Sequence, residues 1–222
     1  MKKILFLASF FISTICLCQS TQNLKLWYNK PSGITWENAL PVGNGKLGAM
    51  IYGNVDTETV QLNECTVWSG SPNRNDNNLC LDSLNKIRQL IFDGKQKEAE
   101  ALANKTIISK TSHGQMFEPV GSLRLVFDKH ENYKNYYREL DIERAVQKTT
   151  YTIDNVNYTR EVIASFPDKV IVMHLTASTP NSISFTAFYS TPQPKATTKA
   201  SSNELTIAGT TIDHEGVEGK IK

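Results

Sequence analysis

From Gly121 onward the chain is built almost entirely of short segments rich in Val, Ile, Thr, Phe and Tyr. "SLRLVFD", "YYRELDI", "QKTTYTIDNVNYTREVIAS", "KVIVMHLTAS", "SISFTAFYS" and "NELTIAG" follow one another, with turn residues at Asp154-Asn155, Pro167-Asp168, Pro180-Asn181 and Pro192–Pro194. Strands punctuated this closely, with no helices between them, close into an antiparallel sandwich rather than a βαβ sheet. "TPQPKATTKASS", between the last two segments, reads as a long polar surface loop.

The first half is more varied. "LKLWYNKP" reads as a short strand closed by Pro31. "PVGNGKLGAMIYG" then presents Gly43, Gly45 and Gly48 in the G-x-G-x-x-G spacing of a dinucleotide loop. That loop works only between a buried parallel strand and a helix whose N-terminus receives the pyrophosphate. Here "ITWENALP" precedes it, without a Val/Ile run, and Gly53-Asn54 interrupts the downstream segment before a helix can form. Leu47 also stands where a P-loop needs Ser or Thr. The glycines are therefore expected to form a turn in a β-hairpin, and no nucleotide is expected. "ETVQLN" alternates as a strand. Leu84, Ile87, Leu90 and Ile91 form one helical stripe that begins near Leu81 and stops at Asp93-Gly94. "KQKEAEALANK" makes a second short helix with Ala99, Leu102 and Ala103 inward. Together they read as a helical hairpin packed on a sheet edge.

The opening residues stand apart from this pattern. Lys2 and Lys3 precede an apolar run from Ile4 to Leu17, and Cys16-Leu17-Cys18 resembles a small-x-small cleavage site. Residues 1–18 are expected to be a signal peptide, leaving Gln19 first in a mature domain of residues 19–222. The chain is then exported, to the periplasm or beyond. A lipid anchor on Cys18 is the less suitable alternative, because Leu17 is bulky. The formal charge of +2 falls to about zero once Lys2 and Lys3 are gone. No basic stripe remains for nucleic acid. Cys65 and Cys80 either pair, as an oxidising compartment allows, or remain free. The final "GVEGKIK" reads as the start of a strand pair, so a longer parent protein is expected.

Catalytic signals are sparse. His113, His130, His174 and His214 have no Cys, His or Glu at ligand spacing, so neither a metal nor another cofactor is expected. No G-x-S-x-G elbow occurs. Glu37, Glu64 and Glu118 are lone carboxylates, expected on solvated faces or in capped loops. Trp27, Trp36 and Trp68 are expected to pack a core, with stacking on sugar rings as the alternative.

The stretch from "LWYNKP" to "VWSGSP" resembles the opening of glycoside hydrolase family 95, the inverting α-L-fucosidases. The matching residues are Leu26 to Tyr28, Trp36, Ala39 to Met50, Gln61 to Glu64, Thr66, and Trp68 to Pro72. "LNKIRQLIFDGKQKEAEALA", "YRELDIERAV" and "YTREVIASFPDKVIVMHLTAS" are similar to later family segments. Cys65 replaces the family's usual Asp, and Val67 a common Leu. The resemblance implies an N-terminal super-β-sandwich, mainly β and antiparallel, with a small helical hairpin. It also implies an (α/α)6 catalytic barrel elsewhere in the protein, acting on fucosylated glycans. The family's catalytic groups lie in that barrel, so none is assigned to this chain. Asn63, Glu64 and Trp68 are the candidate residues for contacting substrate or the barrel. The chain is expected to be inactive alone, as the N-terminal part of such a hydrolase. A free-standing carbohydrate-binding or structural module is the alternative.

Overall fold

A computed structural model describes residues 24–72, 74–109 and 114–220. The expected signal peptide, its cleavage site, Asn73 and His113 lie outside the described residues. The strands are β1 (Lys25–Tyr28), β2 (Leu40–Gly43), β3 (Leu47–Ile51), β4 (Thr57–Glu64), β5 (Gly121–Val126), β6 (Lys134–Asp141) and β7 (Val146–Ile153). β8 (Val156–Ser165), β9 (Val170–Ala177), β10 (Thr186–Ser190), β11 (Thr197–Ala200) and β12 (Leu205–Ala208) complete the set. Helices α1 (Cys80–Phe92) and α2 (Gln96–Thr106) separate β4 from β5. One antiparallel sheet runs β1-β6-β7-β8-β9, the other β10-β5-β4-β3-β2, and β11-β12 form a separate ribbon.

Turn chemistry sets the registers. Asp154 and Asn155 both have positive φ (47° and 65°) and join β7 to β8, with Ile153 opposite Val156. Two left-handed residues give the turn a twist that matches the strands, and Asp and Asn tolerate that conformation. The glycine loop is the expected hairpin turn. Gly43 pairs with Gly48 across it, and Gly45 sits at φ 86°. Asn44 Oδ1 accepts the Lys46 and Leu47 amides (3.1 and 2.8 Å), so these donors close their own turn. Asn44 Nδ2 reaches across to donate to the Ser165 carbonyl of the other sheet (2.7 Å). Pro41 lies on β2, an edge strand, where a missing N–H is tolerated.

The inner faces of the two sheets interlock. Val42, Ala49, Ile51 and Val60 from one sheet bury against Val162 from the other, with Leu62, Leu140 and Met173 around them. Each fully buried aliphatic side chain contributes about 1.5–3 kcal/mol. A second cluster joins Val55 to Tyr151, Ile153 and Tyr158.

Between these clusters lies a charged group. Arg160 of β8 is almost wholly buried, and so is Glu58 of β4. Arg160 Nη1 donates to Glu58 Oε2 (3.1 Å) and to the Asn54 carbonyl (2.6 Å). Its Nη2 donates to the Val55 carbonyl and the Tyr151 hydroxyl, each at 2.7 Å. The guanidinium lies over the Phe127 ring, 4.1 Å from its centroid. Glu58 Oε1 accepts the Gly53 and Thr59 amides (2.9 and 3.0 Å). Burial pushes the Glu58 carboxyl above its ordinary value, against the downward pull of Arg160 and those amides. Arg138, also buried, donates to the Lys30 and Asn38 carbonyls (2.8 and 2.7 Å) and so fixes the segment leading into β2.

Two sequence expectations need correction. The helical hairpin exists, and Gly94 terminates α1 at φ 73°. Its apolar stripe, however, serves the other helix: Ile87 and Leu90 bury against Ala99, Leu102 and Ala103 rather than on a sheet edge. Leu81 and Phe92 consequently remain exposed. The stretch expected as a loop contains β11, paired from Thr197↔Ala208 to Ala200↔Leu205. All four β11 residues are exposed, so no burial alternation marked it as a strand.

Replacing Arg160 by Met leaves the Glu58 carboxyl buried without its counter-ion. The variant should lose about 3–5 kcal/mol of unfolding free energy. Adding Glu58→Leu should recover most of it, which urea denaturation of both variants will check. His130 gives a pH dependence. Burial first, then Arg160, holds its pKa below the ordinary 6.5. In that window the unfolded chain binds more protons, so stability falls as pH falls through 6.5 toward the native value. Comparing denaturation midpoints between about pH 7.5 and 5.5 should show a flatter slope for His130→Gln.

Candidate functional site

Asn63 and Glu64 end β4, opposite Gly48 and Leu47 of β3. Strand alternation turns Glu64 to the same face as Val60 and Leu62. It borders a groove of about 390 Å³ between the sheets, lined by Leu62, Leu123, Val162, Ile171, Met173 and Tyr189. Asn63 also lines this groove, and its Oδ1 is buried without a hydrogen-bond partner.

Glu64 is held by its own turn. Its Oε2 accepts the Thr66 amide (2.8 Å) and the Thr66 hydroxyl, and Lys46 Nζ lies 3.6 Å from Oε1. The Thr66 hydrogen bonds, with help from Lys46, hold the carboxyl below its ordinary range. It is therefore ionised at neutral pH and unsuited to donate a proton. The neighbouring thiol, Cys65, contacts Oε1 at 3.8 Å and is exposed. Cys65 and Cys80 are both free, so the pairing left open by the sequence is not made.

Trp68 closes the same corner. Its indole Nε1 donates to the Cys65 carbonyl (2.9 Å), and its ring meets Phe117 edge-to-face at 5.3 Å. It is 41 % exposed, and Trp27 and Trp36 are 61 % and 52 % exposed. The expectation that the tryptophans fill a core is therefore overturned: the sandwich fills with aliphatic residues and tyrosines instead. Glu118 reverses its expectation too. It is buried, and neither carboxylate oxygen has a hydrogen-bond partner. Glu37 is exposed as expected.

The fold thus brings Asn63, Glu64 and Trp68 to one corner. Lys46 joins them, a residue that sequence reasoning passed over. The hairpin register was the signal that could have placed it beside Glu64. This corner offers a fixed anion, an exposed indole and an apolar groove. It lacks the two opposed carboxyl groups that inverting hydrolysis requires. Among the described residues no cluster of His, Cys, Asp or Glu could hold a metal ion.

The family model for the N-terminal domain of glycosyl hydrolase family 65 matches residues 26–221. The chain belongs to this family of N-terminal domains. The domain implied by the family 95 resemblance is of the same kind. Alpha-L-fucosidase 2 of Arabidopsis thaliana is 37 % identical over 190 residues, 84 % of this chain and 22 % of the relative. Probable alpha-fucosidase A of Aspergillus oryzae is 28 % identical over 161 residues, 69 % of this chain and 22 % of the relative. Its Aspergillus niger counterpart is 28 % identical over 162 residues, 69 % of this chain and 20 % of the relative. This family 65-type N-terminal domain therefore spans about a fifth of the length of these relatives.

The Glu64 turn makes a prediction with a defined sign. Its lowered pKa means that it stabilises the fold when ionised, and that the contribution is lost as pH falls through its native pKa. Glu64→Gln should lower stability by roughly 1 kcal/mol at neutral pH, near the net value of one hydrogen bond. The gap from wild type should close as pH falls below the ordinary carboxylate value of 4.5. Thermal melts of the two proteins along a pH series measure it.

Proposed function

We propose that this chain is the N-terminal β-sandwich of an exported, inverting α-L-fucosidase-like glycoside hydrolase that acts on α-L-fucosides of glycans. The observation that carries the reading is the 37 % identity, over 84 % of the chain, to a protein named Alpha-L-fucosidase 2. The basic and apolar character of residues 1–18 supports export, with cleavage before Gln19 preferred over a lipid anchor at Cys18.

In this reading the chemistry belongs to a separate catalytic barrel and the sandwich supports it. Apolar side chains left in solvent support such packing. Ile163, Val170 and Val172 are exposed on β8 and β9, and Leu81, Ile91 and Phe92 on the helical hairpin. Clusters of this kind mark surfaces that meet other polypeptide. The Asn63, Glu64 and Trp68 corner faces the barrel or its substrate. The exposed tryptophans favour a second reading, a free-standing carbohydrate-binding module.

In-frame gene sequence separates the two, since the hydrolase requires a barrel-coding continuation. The full-length protein should hydrolyse an aryl α-L-fucoside and release the inverted sugar first, read by NMR, while the 222-residue chain alone should show no turnover. Turnover by the purified chain would overturn the proposal. In the full-length enzyme Glu64→Ala should lower kcat/KM more than it lowers Tm. An unchanged kcat/KM removes this corner from the substrate path.

A further inference from the structure

The sheet that contains β4 has a second, outward face, and its character is the reverse of the core. Glu58, Val60 and Leu62 point inward, so Thr59 and Gln61 point out. Their cross-strand partners on β5 are Arg124 and Ser122. Together with Tyr52 and Asp56 they line a polar cleft of about 370 Å³. The loops at Gly33 and Asn54 wall this cleft and are locked together. The Gly33 amide donates to Asn54 Oδ1 (3.1 Å), and Asn54 Nδ2 donates to the Gly33 carbonyl (2.9 Å).

The cleft holds hydrogen-bonding capacity that the fold does not use. Gln61 Oε1 is buried with no partner. A buried acceptor left unmatched costs roughly 1–3 kcal/mol, so a partner that satisfies it binds with that advantage. Half-buried Arg124 donates to Thr59 Oγ1 at a long 3.3 Å, and among the described residues no carboxylate pairs with it. Phe188 of β10 lies directly opposite Arg124 in the register and is 41 % exposed. Opposite residues of an antiparallel pair share a face, so Phe188 stands beside Arg124 on the outer face, next to the residues that line the cleft.

This combination selects among ligand classes. A polar lining disfavours an apolar ligand. One cation facing one carboxylate, Asp56, leaves no net charge to collect an anion. Donors and acceptors side by side match vicinal hydroxyl groups, and an aromatic plate matches the C–H face of a pyranose. The volume lies within the range of small-molecule sites.

We propose that the outer face of β4 and β5 is a glycan-binding subsite with no part in bond cleavage. Arg124 and Gln61 hold the hydroxyls, and Phe188 forms the platform. The choice of a fucosylated glycan rests on the hydrolase function already proposed; the cleft's match to a pyranose does not.

The test is titration of the purified chain with a fucosylated lactose trisaccharide, followed by calorimetry and by NMR shifts. Saturable binding is expected, weakened at least about tenfold by Arg124→Met and by Gln61→Leu, as loss of a ligand hydrogen bond predicts. Phe188→Ala should weaken it as well, and Thr198→Ala, on the exposed β11 of the separate ribbon, should leave it unchanged. Melting temperatures identify any variant that has lost its fold, and Ser122→Ala, a smaller change in the same cleft, then takes its place. Absence of saturable binding overturns the subsite. So does binding that survives the cleft variants or is lost in Thr198→Ala. Full-length hydrolysis is read separately: activity without chain binding overturns the subsite alone, and binding without activity overturns the hydrolase alone.

Discussion

The buried Arg160–Glu58 pair is the point on which the two sheets agree about their relative position. β8 carries the arginine and β4 the glutamate, and the loop from Gly53 to Val55 is clasped between them. Every group in this set reduces the cost of another. The carboxylate neutralises the guanidinium, the Asn54 and Val55 carbonyls and the Tyr151 hydroxyl accept from its Nη atoms while its buried Nε is left without a partner, and the loop amide at Gly53 returns a donor to the carboxylate. Gly53 itself must be glycine, because its φ is 67° and an added Cβ would lie 2.7 Å from the Tyr136 hydroxyl. Hydrophobic burial supplies more of the stability. The charged cluster supplies the alignment, because an apolar interface tolerates sliding and a hydrogen-bonded ion pair in low dielectric does not.

That alignment determines what the Glu64 corner can be. With β4 fixed at Glu58, its far end is carried to the mouth of the intersheet groove, beside the hairpin turn that supplies Lys46. The result is a carboxylate saturated by its own turn and locked in the ionised state. Such a group orients a neighbour or meets a cation better than it moves a proton. The chain belongs to a family of N-terminal domains and spans about a fifth of its relatives' length.

Much of the fold is legible in the residues because turns and strand alternation are local properties. Asp154-Asn155 and Gly43 to Gly48 announce their hairpins, and each long strand after Gly121 carries enough β-branched and aromatic residues to be recognised. The features that stay hidden depend on partners distant in sequence. Glu58 and Arg160 read as ordinary charges within alternating strands, and only the meeting of two sheets makes them core. The tryptophans mislead for the same reason: a large ring is buried only if an opposing surface reaches it, and tyrosines and aliphatics fill those positions. The helical stripe is read correctly as apolar, but a stripe does not say which surface will cover it. At the Glu64 corner, the residue types could be singled out from sequence, whereas the Lys46 contact needed the hairpin register.

The edge strands of the sandwich are unlike. β1 spans four residues, and β2 is equally short and carries Pro41, which offers no N–H to a newcomer. β9, by contrast, presents "VIVMHLTA", eight residues with neither proline nor a carboxylate or ammonium side chain to discourage pairing. Edges are normally blunted by the devices seen at β2, and β9 lacks them. The two ends of the sandwich therefore differ in kind: the short edges leave little backbone open, while the outer edge of β9 leaves the donors and acceptors of eight residues without a neighbouring strand among the described residues.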